Sequence, residues 1–430
     1  MSPAACIPRE HPLRDTLASE LHARPSMPLE APQRVSYLAM IHDGTSAQGE
    51  LAHLRELLPD IDAPHAGGGH EHLSVDAGDF RLKWERHTEF TSYTFFRDPG
   101  PDDDPARGAM SALPADWIAS LPGRAIVAAH VELREADATE RRRGAPRMIT
   151  GDVAATISGG VALVSTDFRQ VGGWTRFELV DLGLTPAQRG RTIQRLLEIE
   201  TYRMMALLAF PVAREVGRLL GDAEAELADL MDRMVQASTP EVEREVLGRL
   251  TRLAAQVERS VARTTFRFGA ANAYYGLVRQ RIDELREVRE AGYSTIGGFM
   301  DRRLAPAMNT CATIARRQAD LSDRIARNSQ LLRTRVDVEL ERQNQELLAQ
   351  MNRRARLQLR LQQTVESISV VAITYYASQL VHYVAKGVKP WLGALTPEAI
   401  TAVSIPVIAV FVALGLRRMH HRMASAERAP

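Results

Sequence analysis

The sequence predicts an α+β protein in which a mixed α/β domain comes first, long stalk-like helices follow, and a two-helix transmembrane hairpin lies near the C-terminus. Three observations predict this class. Strand-like alternation before residue 185 changes to helical spacing after it. Residues 307–386 contain neither proline nor glycine, and two apolar runs follow residue 364. The predicted division is 1–184, 185–364, 365–416 and a basic cytosolic tail at 417–430.

The N-terminal domain is predicted to contain one mixed sheet. Apolar and β-branched residues follow strand patterns over six stretches, and the glycine pairs 159–160 and 172–173 mark hairpins. The order of the elements indicates an α+β domain rather than a doubly wound one. The predicted strands are 34–42, 80–96, 124–134, 153–158, 161–167 and 174–180, and the predicted helices are 47–58 and 114–121.

Three long helices are predicted next, at 185–235 with Pro211 kinking or ending it, at 240–291, and over 307–386, which could form one helix of about 120 Å. The apolar spacing in the last predicts a seam buried against another helix of the chain or of a second copy. Asn328 and Asn344 either lie in the seam and set its register, or lie beside it and face water. The seam residues are Leu321, Ile325, Leu332, Val336, Leu340, Leu347 and Met351.

The two apolar runs, at about 365–385 and 400–416, predict a membrane hairpin. The second run carries no charge, but at about 1.5 Å per residue it covers only about 25 Å, so flanking residues must complete the span. The first run is long enough but contains Glu366, Gln379 and His382, which are costly in lipid. A short loop rich in glycine and proline joins the runs. The alternative is a buried helical hairpin in a soluble core.

Arginines on both sides of the hairpin predict its orientation. Positive charge resists translocation, so both termini should be cytoplasmic, with the loop outside and the inner membrane of a bacterium as the location. The absence of an apolar stretch at the N-terminus argues against a cleavable secretion signal. The flanking arginines are Arg353, Arg354, Arg356 and Arg360 before the first run, and Arg417, Arg418 and Arg422 after the second.

A mildly polar stripe follows one face of the first run at helical spacing. It would line a pore if several copies formed a ring, or it would pack against the second run, with hydroxyl groups bonding across the two helices. The packing interpretation is the more ordinary one for such residues. The stripe consists of Ser367, Thr374, Ser378 and His382, together with Val371.

Composition excludes several functional classes. The formal net charge of +1 provides no field to hold a polyanion, so no nucleic-acid partner is expected. The two cysteines, Cys6 and Cys311, lie far apart, which indicates neither a disulfide framework nor a thiolate metal site. The chain has no GxGxxG after a strand, no GxxxxGK[ST], no GxSxG and no HExxH. These absences identify no cofactor and weaken an enzymatic interpretation.

Two groups of residues are the candidates for chemistry. A strand through Trp84 would place Glu85, His87 and Glu89 on one face, where a histidine between carboxylates could act as a base or ligand. Exposed ion pairing is the ordinary alternative. His65, His70 and His72 cluster around three glycines and could take zinc, although a surface loop is the more ordinary explanation.

Several motifs resemble a known bacterial family. The motifs are HPLRD at 11–15, ELHARP at 20–25, WERHTEFTSYT at 84–94, GYST at 292–295 and MDRR at 300–303. They are similar to the domain-of-unknown-function 3422 family of predicted membrane-anchored proteins, and the likeness extends over essentially the whole chain. The resemblance implies membrane anchorage and supplies no established activity, so no catalytic residue can be carried over.

The order of domains also looks like that of the CorA magnesium channels. That resemblance implies a Gly-Met-Asn signature at the outer end of the first span, where this chain has Lys386, Gly387 and Lys389, and lysines there would repel a cation. The first hypothesis is therefore a membrane-anchored, self-associating protein whose cytosolic domain senses or scaffolds. The alternatives are a CorA-like channel or transporter of altered selectivity and a metal-assisted enzyme using the His87 face, with the ion or small-molecule ligand unidentified.

Overall fold

The computed structural model describes residues 11–14, 17–18, 25–59, 72–100, 108–143, 151–237, 239–388 and 396–426. The chain divides into two compact units. The first contains Met1–Ala237 and Glu245–Ser329, and the second contains Ser238–Arg244 and Gln330–Pro430. The domain boundaries expected at 184, 364 and 416 remain predictions.

The first unit contains a nine-stranded mixed sheet with the order β2-β3-β4-β1-β5-β8-β7-β6-β9. Every named strand pair is antiparallel except β5 and β8, which run parallel. The predicted α+β class is confirmed. The strands are β1 Gln33–Ile41, β2 His72–Asp76, β3 Arg81–Arg86, β4 Phe90–Arg97, β5 Arg124–Glu135, β6 Val153–Ile157, β7 Ala162–Val171, β8 Trp174–Asp181 and β9 Val288–Arg289.

One strand prediction is wrong in its extent. The stretch 80–96 is two strands, β3 and β4, because the backbone N–H of His87 donates to the carbonyl of Phe90 at 2.8 Å and closes a tight turn. The sequence did not predict the edge strand β2 or the two-residue strand β9, because both are short and lack a buried alternating face.

Nine helices lie among the described residues, together with a short 3-10 helix at Ala109–Ala112. The long third helix of the prediction is continuous, and its first part belongs to the first unit and its last part to the second. The helices are α1 Ala47–Leu57, α2 Ala115–Ala119, α3 Ala138–Arg143, α4 Pro186–Leu207, α5 Ala209–Gln236, α6 Pro240–Leu285, α7 Ile296–Arg303, α8 Ala305–Gly387 and α9 Pro397–Ala426.

The helix predicted over 185–235 is two helices, α4 and α5. Thr185 and Gln188 form a reciprocal capping box at the start of α4, and Pro186 occupies its first turn, where a missing N–H costs nothing. The break falls at Leu208, within one turn before Pro211, because the proline ring cannot donate to a carbonyl of the preceding turn.

The two faces of the sheet differ in character. One face packs against α1 and α2 around an aromatic core, and the other faces α4. Because strand side chains alternate, Trp84 points into the aromatic core while its neighbours Lys83 and Glu85 point to the α4 side. The core residues from the sheet are Leu38, Met40, Leu82, Trp84, Tyr93 and Phe95, with Leu51 and Leu54 from α1 and Trp117 from α2.

The second unit contains most of α8 and all of α9, and its helices have exposed apolar surfaces. An 18-residue window within α8 reaches a mean hydropathy of 1.2 with 17% of it buried, and one within Pro397–Gly415 reaches 2.1 with none of it buried. Both helices are long and apolar enough to cross a membrane. Val371 and Phe411 are 70% and 73% exposed, so protein contacts do not cover them.

Candidate functional site

The first unit contains a cavity of about 310 Å³ between the α4 side of the sheet and two helices, which we call the Lys83 cavity. Its sheet wall includes Tyr37 from β1, Lys83 and Glu85 from β3, and Ser92 and Thr94 from β4. Its helical wall includes Gly190, Ile193, Leu197, Glu198 and Thr201 from α4, and Arg281 from α6. The cavity therefore combines charges and hydroxyl groups with aliphatic surface, as small-molecule sites do.

Each wall of the Lys83 cavity carries an ion pair. On the sheet wall, Lys83 Nζ lies 2.9 Å from Glu85 Oε1, and both residues are more than nine-tenths buried. The two side chains meet because residues two apart on a strand share a face. On the helical wall, Arg281 Nε pairs with Glu198, and Arg281 also lies 3.0 Å from Glu284. Glu284 does not line the cavity, so the lining contains two cationic side chains, Lys83 and Arg281, and two carboxylates, Glu85 and Glu198.

Burial and pairing shift the pKa values of groups around the cavity. Burial raises the pKa of the Tyr37 hydroxyl, which is hydrogen-bonded to Thr201 Oγ1 at 2.9 Å, so Tyr37 stays protonated. Burial alone would lower the pKa of Arg281, but Glu198 and Glu284 raise it above its usual value. Both groups therefore keep their protonation state at physiological pH.

Two of the three residues expected on one strand face line the cavity. Glu85 and His87 do so, and the His87 ring stacks on Phe90 with centroids 4.4 Å apart. Glu89 does not, because the chain turns at 87–89 and strand alternation ends there; its carboxylate instead pairs with Arg267 of α6. The prediction that Glu85, His87 and Glu89 share one strand face is therefore wrong for Glu89.

Of the candidate metal ligands, only His72 lies within the described residues. It begins β2 directly opposite Glu85, a cross-strand neighbour that sequence spacing could not predict. His65 and His70 lie outside the described residues. Within the parts of the chain that the structure describes, no group of three or more His, Cys, Asp or Glu side chains could hold a metal ion.

The sequence did not identify three of the charged residues that line the cavity, Lys83, Glu198 and Arg281, as site residues. The rarity of lysine could have pointed to Lys83, since the only other lysines of the chain are Lys386 and Lys389. Glu198 and Arg281 had none, because they lie 83 positions apart on two helices with many similar charged residues.

The polar stripe of the first membrane run lies partly against α9. His382 Nδ1 is 3.0 Å from Thr401 Oγ1, and Ser378 is buried with its hydroxyl donating to the carbonyl of Tyr375. Thr374 is half-buried, and Ser367 is exposed and donates to the carbonyl of Gln363 within its own helix. Of the four stripe residues, His382 thus contacts α9.

The flanking arginines lie at the ends of the apolar segments. Arg353, Arg354, Arg356 and Arg360 are exposed on α8, and Arg418 is exposed on α9. The backbone of Arg417 and Arg422 belongs to α9, but their side chains lie outside the described part. Exposed guanidinium groups next to apolar helices are typical of a membrane boundary.

Comparison with known proteins assigns the chain to a family. The family model described as "Protein of unknown function (DUF3422)" matches residues 9–423, nearly the whole chain. No curated protein and no solved structure matches the chain significantly. The resemblance seen in the sequence motifs is therefore confirmed, and the chain belongs to the DUF3422 family of proteins of unknown function.

Proposed function

We propose that the protein is an anchored, self-associating component of the bacterial inner membrane whose extramembrane domain senses or scaffolds on the cytoplasmic side. The observation that carries the anchorage is the exposure of the apolar faces of α8 and α9. Tyr376, Leu380 and Val403 are each about two-thirds exposed or more. A soluble protein would bury side chains of this kind, and lipid is the solvent that accepts them.

Fractionation tests the anchorage. The full-length chain should sediment with membranes at high speed, resist extraction by alkaline carbonate, and enter the supernatant only with detergent. A chain that stays in the supernatant without detergent would contradict the proposal, and the hairpin would then be the interior of a larger soluble assembly.

Cysteine labelling tests the orientation. In a chain whose Cys6 and Cys311 are changed to serine, Gly393→Cys in the loop should react with a membrane-impermeant maleimide on intact spheroplasts. Ser425→Cys near the C-terminus should react only after the membrane is opened, because the arginines around α9 hold that end inside. The reverse pattern of labelling would contradict a cytoplasmic C-terminus.

Self-association is proposed through α8. The first part of the predicted seam is covered within the chain, with Leu321, Ile325 and Leu332 almost fully buried. The second part is uncovered, since Leu347 and Met351 are 57% and 66% exposed. An exposed apolar seam at spacings of four and seven is what a second helix of the same kind covers.

Neighbouring leucines provide a matched test of this seam. Leu347 continues the seam, whereas Leu348 is equally exposed but lies about 100° around the helix. Leu347→Asp should dissociate a detergent-stable oligomer measured by light scattering, and Leu348→Asp should leave it intact. Equal masses for the two variants would rule out this seam as the interface. Leu332→Asp is unsuitable, because Leu332 is buried within a single chain.

The proposal does not extend to ion conduction. His382, the most polar residue of the stripe, is hydrogen-bonded to Thr401 of α9. Hydroxyl and imidazole groups that bond across helices in this way stabilise the packing of the two helices. A channel remains an alternative, and current across a reconstituted bilayer would establish it.

A further inference from the structure

We propose that the Lys83 cavity is the sensory site, and that it binds a small zwitterion of the amino-acid type, carrying one ammonium and one carboxylate group. This inference deepens the sensing part of the proposed function. It rests on four features of the cavity: its size, its balanced charges, its apolar lining and the identity of residue 83.

The charges of the cavity select against simple ions. An anion entering it would meet Glu85 and Glu198 as well as the two cations, and a bare cation would meet Lys83 and Arg281 as well as the two carboxylates. A zwitterion instead offers a carboxylate to one cation and an ammonium to one carboxylate. Because the two ion pairs lie on opposite walls, both ends of such a ligand find a partner of opposite charge.

Stability alone does not account for the buried pair of Lys83 and Glu85. Removing two charges from water costs several kcal/mol per ion, and apolar side chains of similar volume often serve folding as well or better. Ser92, Thr94 and Tyr37 add hydroxyl groups to the lining of the cavity near the pair. A polar lining of this kind is useful when the cavity is occupied by a polar molecule.

Residue 83 is also unusual for this chain. Lys83 is the only lysine before residue 386, and every other Lys or Arg position in that part of the sequence is an arginine. A lysine ammonium is a compact charge with three donors, so it can pair with Glu85 and still donate to a second carboxylate in the cavity. A planar guanidinium at the same depth would fill more of the space that a ligand needs.

The volume and the apolar lining of the Lys83 cavity also suit an amino acid. A volume of about 310 Å³ lies at the small end of ligand cavities, which suits a molecule the size of an amino acid. Ile193, Leu197 and Phe96 are buried and line the cavity, so they offer an apolar surface to the side chain of the ligand.

Thermal unfolding of the detergent-solubilised full chain tests this proposal. The panel contains the standard L-α-amino acids and γ-aminobutyrate, with acetate and propylamine as single-charge controls. At least one zwitterion should raise Tm by about 5 °C at a concentration about a hundred times its Kd, since binding to the folded state alone stabilises it. Acetate and propylamine should give no comparable rise.

Variants locate the effect. Lys83→Met combined with Glu85→Met removes both charges without leaving one of them buried alone, so the chain should fold and lose the ligand-induced rise in Tm. Lys386→Met is the control for loss of a lysine outside the cavity, in the last turn of α8, and this variant should keep the ligand-induced rise in Tm. Lys83→Arg should fold, keep the charge and weaken binding at least tenfold.

Three results would overturn the inference: no rise in Tm with any zwitterion of the panel, an equal rise with acetate or propylamine, or a rise that the double variant keeps. Sedimentation of the same preparations with membranes before extraction reports anchorage independently. Failure of ligand binding and failure of the proposed anchorage are therefore distinguishable.

Discussion

Gly190 is a point at which one methyl group should have a large effect. It lies within α4, and a Cβ built there would be 1.8 Å from the carbonyl oxygen of Met27 and 2.9 Å from its carbonyl carbon. Both atoms belong to the backbone, so no side-chain rotation can relieve the overlap. The segment of Met27 or the helix must move, and both border the Lys83 cavity.

Two opposing effects determine the size of the change in Gly190→Ala. Alanine in a helix interior is favoured over glycine by about 1 kcal/mol. Overpacking against fixed atoms costs about 1–3 kcal/mol. The clash at 190 lies at the severe end, so we expect a net loss of about 1–2 kcal/mol, which lowers Tm by about 1–4 °C for a unit of this size.

Gly221→Ala is the matched control. Gly221 also lies in a helix interior, in α5, but nothing is within 4 Å of a Cβ there. The propensity gain is then unopposed, and Tm should rise by about 1–3 °C. The assay is intrinsic tryptophan fluorescence of the full chain in detergent, because Trp84, Trp117 and Trp174 all lie in the sheet or against it. A Tm for Gly190→Ala equal to that of Gly221→Ala would refute the reasoning.

Three further predictions concern two buried polar groups, His130 and Glu50, and one glycine, Gly108. Burial and Arg176 lower the pKa of His130 to about 4, whereas the same histidine in the unfolded chain titrates near 6.5. The unfolded chain therefore binds more protons between these pH values, and about 3 kcal/mol of stability should be lost as pH falls from 6.5 to 4. His130→Asn should flatten this part of a pH–Tm profile, and an unchanged slope would contradict the prediction. The Glu50 side chain is 2% exposed and paired with Arg86, so Glu50→Ala should lower the free energy of unfolding in urea by about 3–5 kcal/mol. The Glu226 side chain is 38% exposed, so Glu226→Ala should lower it by at most about 1 kcal/mol. Gly108→Ala should destabilise by about 1–3 kcal/mol in the same assay, since its φ is 62° and a Cβ would lie 2.2 Å from His130 Nδ1; a neutral effect would show that this contact relaxes freely.

The hairpin β3–β4 illustrates the limit of periodicity. Alternation correctly placed Glu85 on the face opposite Trp84, but it also carried that face through His87 to Glu89. The turn that interrupts it contains no glycine, proline, asparagine or aspartate, the residues whose local chemistry marks turns. Its position depends on the pairing of β3 with β4, which is a property of the folded sheet.

The helices show the opposite case. The absence of proline and glycine over 307–386 meant that one helix could form there, and α8 is continuous because every residue of that stretch can form helical hydrogen bonds. Pro211 likewise predicted a kink or an end in the helix, and α4 and α5 are separated at Leu208. Local backbone chemistry was sufficient for these elements.

The amino-acid sequence by itself determined the α+β class, the long helices, the apolar C-terminal pair and the membership of the family, since these follow from local periodicity, breakers and motifs. Only the tertiary structure decided which charges meet. Lys83 and Glu85 are near in sequence, but Glu198 and Arg281 come to the same cavity because α4 and α6 pack on one side of the sheet. A site made of such distant residues depends on packing between elements, and no single stretch of sequence contains that information.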